Sequence, residues 1–421
     1  MLTYYDPSEK INEIKQLLVS DKKKIGFLFG AGSSLSKKCD NSPYIPAISE
    51  MTKIAINKLG AKDKKYFDII NSIKTDITDS GESFNIETLL SNIEGKISII
   101  GKGNLNGLDK SGFIRLGQEI RDAVREIVSV HKDIKADRIK DMAQYDFGLW
   151  IKNAYRKYAV EIFTPNYDYL LEIGLEQNNV PYYDGFTGSY KPFFNSDSVE
   201  DIHYLPQQTK LWKIHGSLGL HQDSNDNRII RSTSDKDDLL IYPSVLKYSN
   251  SKKQPYASFM DRLNSFLKQD DTVLFVCGYS FSDEHINERI MSALQTDTTA
   301  HVYVLNYDLI INEDGSCTSL FSDESNLAKL AKSCSRLSIL STRKAIFGSR
   351  IGTWQLKRRP DKLDEANINY YFNLDASAKG KEQSDDEIWT GTGELTIVDF
   401  ARFTKFLLNM IPEDKEKTEN E

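Results

Sequence analysis

Cysteine is scarce in this sequence and scattered. Cys39, Cys277, Cys317 and Cys334 form no C-x-x-C pair, which excludes a disulfide framework and a zinc ribbon and points to a reducing, cytoplasmic setting. Long apolar runs are missing too: none approaches the ~18 residues a membrane span needs. The opening MLTYYDPSEK lacks the charged-then-apolar pattern of a signal peptide. Positive charge is in deficit, with 54 Lys and Arg against 61 Asp and Glu and a net charge of -7. General affinity for nucleic acid or an anionic membrane is therefore not favoured, and the basic runs at Lys22–Lys24 and Lys357–Arg359 read as solvated surface. Neither a G-x-S-x-G elbow nor a Walker loop occurs. His203, His215 and His221 lie near one another, but no carboxylate or cysteine spacing around them matches a metal site. What the chain does have is 421 residues, 39% of them hydrophobic and 27% charged. That is enough for two or three compact units with a sizeable buried core.

Short apolar runs recur along it: IGFLF at 25, AVEIFT at 159, LWKIHG at 211, TVLFVCGYS at 272 and HVYVLN at 301. Apolar residues follow one another without polar alternation, the pattern of strands buried on both faces. Helical patterns such as YDYLLEIGLEQNN and DEHINERIMSALQ follow several of them. Alternating strands and helices imply crossover connections, hence an α/β fold with a Rossmann-like, mostly parallel sheet. The long interval after the first strand holds Phe113, Leu116, Ile120, Val124 and Ile127 on one helical face. PAISEMTKIAINKLG reads as a helix with Pro46 in its first turn and Gly60 at its stop. The expected organisation is a nucleotide-binding domain over 1–340 with a helical insertion at 60–150, then a small α+β module at 341–411. A charged, disordered tail at 412–421 closes it. The segments 195–208 and 221–238 read as polar loops.

Chemistry-bearing residues gather just after the strands. Gly30-Ala31-Gly32-Ser33-Ser34 follows the first, Thr164-Pro165-Asn166-Tyr167-Asp168 the second and His215-Gly216-Ser217 the third. Gly278-Tyr279-Ser280 and Asn306-Tyr307-Asp308 follow the fourth and fifth. In open parallel sheets the carboxyl ends of the strands are where ligands bind. Gly30 and Gly32 begin a dinucleotide fingerprint that Leu35 leaves unfinished; they fit either a tight turn or close backbone approach to a pyrophosphate. Asn166 and Asp168 fit helix capping as well as a site. His215 fits a core histidine or a catalytic one, with Gly216 leaving room for a substrate.

In order, GAGSS, TPNYD, IHGS, GYSFSD and VLNYD resemble the motifs of the sirtuin (SIR2) family. GYSFSDEHI and FNIETLLSNIE resemble its prokaryotic branch that degrades NAD in antiphage defence. The likeness covers roughly residues 20–310. Three departures separate the chain from protein deacylases. It lacks their four-cysteine zinc module, YIPAISEM replaces their G-I-P-D-F-R, and Pro165 stands where they have a glutamine that contacts ribose.

The resemblance implies an NAD+ glycohydrolase with NAD as substrate and no metal. Asn166 would orient water or ribose hydroxyls, Asp168 would support the developing charge, and His215 would act as general base. Gly30, Ala31, Gly32 and Ser33 would hold the pyrophosphate, and Gly278, Ser280 and Asn306 the adenosine half. It also implies gating through homo-oligomer assembly or a partner, with a HerA-type hexameric ATPase expected before an Argonaute-like protein. The competing readings are a non-catalytic NAD- or ADP-ribose-binding module and a DNA-processing subunit of a defence complex.

Overall fold

A computed structural model describes residues 3–223, 225–232, 254–296, 298–311, 317–361, 367–375 and 389–411. The charged tail at 412–421 lies outside the described residues, as does 233–253, which includes the end of the expected polar loop at 221–238.

The fold is α/β, built on a ten-stranded sheet. Its strands are β1 (Tyr4–Tyr5), β2 (Lys24–Phe29), β3 (Glu161–Thr164), β4 (Tyr182–Tyr183), β5 (Thr209–Lys213), β6 (Thr272–Cys277), β7 (His301–Asn306), β8 (Leu337–Ser341), β9 (Lys344–Phe347) and β10 (Arg350–Trp354). They lie in the order β1-β10-β9-β8-β7-β6-β2-β3-β5-β4. β9 pairs antiparallel with both its neighbours; every other pairing is parallel. The five runs expected as strands form the contiguous centre, β7-β6-β2-β3-β5. Their unbroken apolar character follows from burial on both faces. In β2, Phe27 and Phe29 enter one core with Phe147, Trp150 and Phe403, while Leu28 enters the other with Leu263, Phe266 and Leu274.

From β2 the chain moves to β3 on one side, and β6 later pairs on the other side of β2. Strand order thus reverses between β2 and β6, and a crevice opens beyond their carboxyl ends.

Helices α1 (Pro7–Val19) and α2 (Ala31–Leu35) flank β2 in sequence; α3 (Ile48–Lys62), α4 (Lys64–Asp79), α5 (Ile86–Ile99) and α6 (Lys110–Val128) fill the interval before β3. α3 begins after Pro46 and runs through Gly60, ending where Asp63 caps α4. The glycine does not stop it because the cap, two residues beyond Ala61, holds the next helix start. These helices enclose a core of their own, including Ile70, Leu89, Phe113, Leu116 and Ile120. Leu170 and Leu218, just past β3 and β5, join that core, which seats the helices against the carboxyl end of the sheet.

The described residues of 341–411 pack on the main core. β9 and β10 extend the sheet, and strands Phe372–Leu374 and Gly393–Leu395 pair with each other. The helix Phe400–Leu408 sets Phe400 against Phe29 at 4.9 Å between ring centres. The segments read as polar loops also hold structure: a helix at Ser196–Glu200, and strands Leu220–Gln222 and Ile229–Arg231 within a small four-stranded sheet. Strands of three residues are too short to display alternation in sequence, so composition alone reads them as loop.

One buried ion pair ties the layers together. Glu161, at the start of β3, receives both Nε and Nη2 of Arg262 at 2.9 and 2.7 Å and the indole N–H of Trp212 at 2.8 Å. Arg262 lies on α9 (Tyr256–Leu267) and also donates to the carbonyl of Val199. Among the described residues, no helix is long and apolar enough to cross a membrane.

Candidate functional site

The crevice begins with backbone meeting backbone. Gly30 N–H donates to the carbonyl of Cys277 at 3.0 Å, and Gly32 N–H to that of Gly278 at 2.9 Å. A Cβ on Gly30 would stand 2.5 Å from the Gly278 oxygen, and one on Gly278 would stand 2.5 Å from Ser33 N. Gly278 also has φ +68°, a conformation that side chains disfavour. The two strand-end loops are thus interlocked through glycines. Gly278→Ala is expected to push them apart and destabilise the protein by about 1–3 kcal/mol. Thermal unfolding of the variant beside wild type checks this, and an unchanged midpoint would contradict it.

This contact has a consequence for anion binding. The amides of Gly30, Gly32 and Ser33 already donate to backbone carbonyls, Ser33 to Gly30 at 3.0 Å. Ala31 opens α2, and a first helical N–H has no partner inside its own helix. Of the four residues expected to hold a pyrophosphate, Ala31 is the one whose amide is offered by position, and it lines the cavity described below.

Asn166 and Asp168 are held by the same loop. Asn166 Nδ2 lies 3.0 Å from the Gly30 carbonyl, 3.2 Å from Ser33 Oγ and 2.9 Å from Ser34 Oγ. None of these bonds uses Oδ1, an acceptor. Ser34 Oγ donates to Asp168 Oδ2 at 2.8 Å, while Asp168 Oδ1 accepts from Leu170 N–H at 3.0 Å. Asp168 therefore accepts from the first amide of α8 (Leu170–Gln177), whose N-cap position is Tyr169, and belongs to the site network at once. Beneath it, the buried Lys213 ammonium donates to the Asp168 backbone carbonyl and pairs with Glu172 at 3.0 Å. Burial pushes the Glu172 carboxyl above its ordinary range even with Lys213 beside it.

His215 is buried just past β5, with Nε2 3.1 Å from Asp283 Oδ2. Asp283 is itself fixed: Oδ1 accepts from the amides of His285 and Ile286 and caps α10 (Glu284–Leu294). Tyr279 OH has two acceptors within reach of its one proton, the Asp283 carbonyl at 3.0 Å and Asn287 Oδ1 at 2.9 Å.

A cavity of about 500 Å³ gathers these groups, within the usual range for small-molecule sites. Ala31, Gly32, Asn166, Asp168, His215, Gly278 and Ser280 all line it, as do Ser34, Ser282 and Asp283. The facing wall comes from the inserted helices: Met51, Ile86, Leu90, Val124 and Val128, with Asn85 and Glu87. Gly30 and Ser33 sit beneath the lining. Asn306 does not line it; its side-chain amide donates to Ser341 Oγ at 2.7 Å. The sequence motifs offer Asp283 as an opener of the helix after β6, which it is, but give it, Ser34 and the inserted wall no part in the site. GAGSS contains Ser34 and GYSFSD contains Asp283, but adjacency to a motif does not say which serine or acid turns inward. Helix α7 (Ala143–Asn153) supports the loop from behind, with Gln144 Nε2 donating to the Ser33 carbonyl at 2.7 Å.

Among the described residues, no group of three or more His, Cys, Asp or Glu could hold a metal ion. Residues 160–327 match the family model of the SIR2-like domain. That span contains Asn166, Asp168, His215, Gly278, Ser280 and Asn306; the Gly30–Ser33 loop and the inserted helices precede it. The match supports a SIR2-like assignment and an NAD-related function for the chain. No curated protein matches it.

Proposed function

We propose that the protein hydrolyses the nicotinamide–ribose bond of NAD+, giving nicotinamide and ADP-ribose. The observation that carries this reading is the convergence of Asn166, Asp168 and His215 on one cavity beside interlocked glycine loops, inside or next to the SIR2-like span. The lining of the cavity supports such a substrate in its chemistry. One wall offers amide, hydroxyl and carboxylate groups, and the other is apolar enough to exclude water from a ring.

The C1′–N bond breaks as positive charge grows on the ribose, and nicotinamide leaves as a neutral molecule. Water supplies the new C1′–O bond, and its proton passes to His215 acting as general base. Asn166, immobilised through Nδ2, presents Oδ1 to the water or to a ribose hydroxyl. Asp168 holds Ser34 and thereby Asn166, and its negative charge favours the cationic transition state. Depletion of NAD in this way would serve bacterial antiphage defence, with the activity gated by self-assembly or by a HerA-type ATPase; the motif resemblance supports that setting.

The test is nicotinamide release from NAD+ by the purified protein, alone and with the ATPase, alongside calorimetric binding of NAD+. Release in either mixture is the expected result. Binding without release in both mixtures would replace this reading with a non-catalytic binding module.

A further inference from the structure

We propose that the helix Phe400–Leu408 sets the glycine loop for its ligand, with Ser36 and Asp399 as positioning residues that stand outside the cavity. The proposal rests on the reading of that loop as the cradle of a pyrophosphate and adds what holds the cradle in place. α2 has five residues, too few for a helix to persist on its own, so its direction is imposed by what it touches. That direction matters because Ala31, at its start, lines the cavity, and Ser34, further along it, holds Asp168.

The start of α2 is fixed by the bond from Gly32 to Gly278 and by Gln144 at the Ser33 carbonyl. Its end is fixed from far along the chain. Ser36, the residue that closes α2, donates its hydroxyl to Asp399 Oδ2 at 2.8 Å and accepts the Ala401 amide at 3.0 Å. Asp399 Oδ1 accepts the Arg402 amide at 3.1 Å and caps the helix Phe400–Leu408. Two first-turn amides of that helix are thus satisfied, one by its own cap and one by Ser36. Behind this clasp, Phe400 packs on Phe29 of β2 and Phe403 on Phe275 of β6, at 4.9 and 6.2 Å between ring centres. The helix is therefore seated on the two strands whose ends open the crevice. Neither it nor Ser36 nor Asp399 belongs to the cavity lining, so the clasp acts on a ligand through α2.

Linkage fixes the form of the effect. What the clasp lends to ligand binding, the bound ligand lends back to the clasp, and neither can exceed what the clasp itself contributes. Part of the worth of two ordinary hydrogen bonds corresponds to ~3–10-fold in affinity.

The probe is ADP-ribose, which carries the pyrophosphate and lacks the bond to nicotinamide, so it is not consumed. Its affinity is measured by calorimetry for wild type, Ser36→Ala and Asp399→Ser; the serine keeps a capping oxygen for the Arg402 amide and removes the carboxylate oxygen that Ser36 reaches. Backbone hydrogen exchange of the helix is followed with and without ADP-ribose, and nicotinamide release gives the kinetics. Both variants are expected to bind ~3–10-fold more weakly than wild type, with KM for NAD+ raised in step and kcat changed less. ADP-ribose is expected to slow exchange at Ala401 and Arg402 in wild type and not in Ser36→Ala. Absence of that protection in wild type overturns the coupling without recourse to any variant. Equal affinity in wild type and Ser36→Ala, or a loss of kcat at unchanged affinity, overturns the positioning role and leaves the hydrolase reading standing. Clasp-dependent binding by a protein that never releases nicotinamide supports the proposal and removes the hydrolase reading instead. A wild type that fails to bind ADP-ribose overturns the cradle and the proposal together.

Discussion

Asn166→Ala is expected to abolish nicotinamide release, and His215→Ala to lower it by ~10²–10⁴-fold, the usual contribution of a positioned general base. The two losses differ in origin. Asn166 is the point where three groups of the glycine loop converge, since its amide reaches the Gly30 carbonyl and the hydroxyls of Ser33 and Ser34. Truncation removes the proposed Oδ1 contact and also takes from Ser34 Oγ, which donates to Asp168, the amide that donates to it. Those bonds do not include His215, whose loss removes a base and leaves the loop in place. Asn166→Ala should therefore lose some thermal stability along with turnover, and His215→Ala should lose turnover with affinity for NAD+ largely kept. The measurements are nicotinamide release, NAD+ calorimetry and thermal unfolding of each variant. A double variant that still turns over would remove both residues from the mechanism.

The largest loss of stability is expected far from the cavity, at Arg262→Ala. The guanidinium satisfies both oxygens of Glu161, and the pair is almost completely buried, with side-chain exposures of 1% and 8%. Removing one partner strands a charge in a low-dielectric interior, which costs about 3–5 kcal/mol. It also opens a void beside Trp212 and frees the carbonyl of Val199. Arg262→Met fills the void but leaves the charge. Adding Glu161→Gln should then restore much of the stability, because a neutral amide removes the stranded charge while keeping an acceptor for the Trp212 indole. Urea unfolding of the three variants checks the order. If the double variant is no more stable than Arg262→Met, volume and not charge dominates at this position.

The contrast between these two regions shows how much could be read in advance. The strands IGFLF, AVEIFT, LWKIHG, TVLFVC and HVYVLN are legible because burial on both faces leaves an unbroken apolar run, a one-dimensional signature. The short strands at 220–222 and 229–231 leave none. Helix α3 passes Gly60 because its end is set by a cap shared with α4, a local competition that composition does not rank.

For the site, the sequence by itself determined the residue types and their position at strand ends: Asn166, Asp168, His215 and the glycines of two loops. A parallel sheet places every strand's carboxyl end on one edge, so order along the chain becomes nearness in space. Tertiary structure alone decided the partners. It put Gly278 against Gly32, Ser34 between Asn166 and Asp168, and Asp283 on His215; it turned Asn306 to Ser341 and closed the cavity with helices inserted between β2 and β3. The reason is physical. Burial and backbone conformation act on each segment by its own composition, whereas a hydrogen bond between distant segments depends on directions that exist only once both are packed.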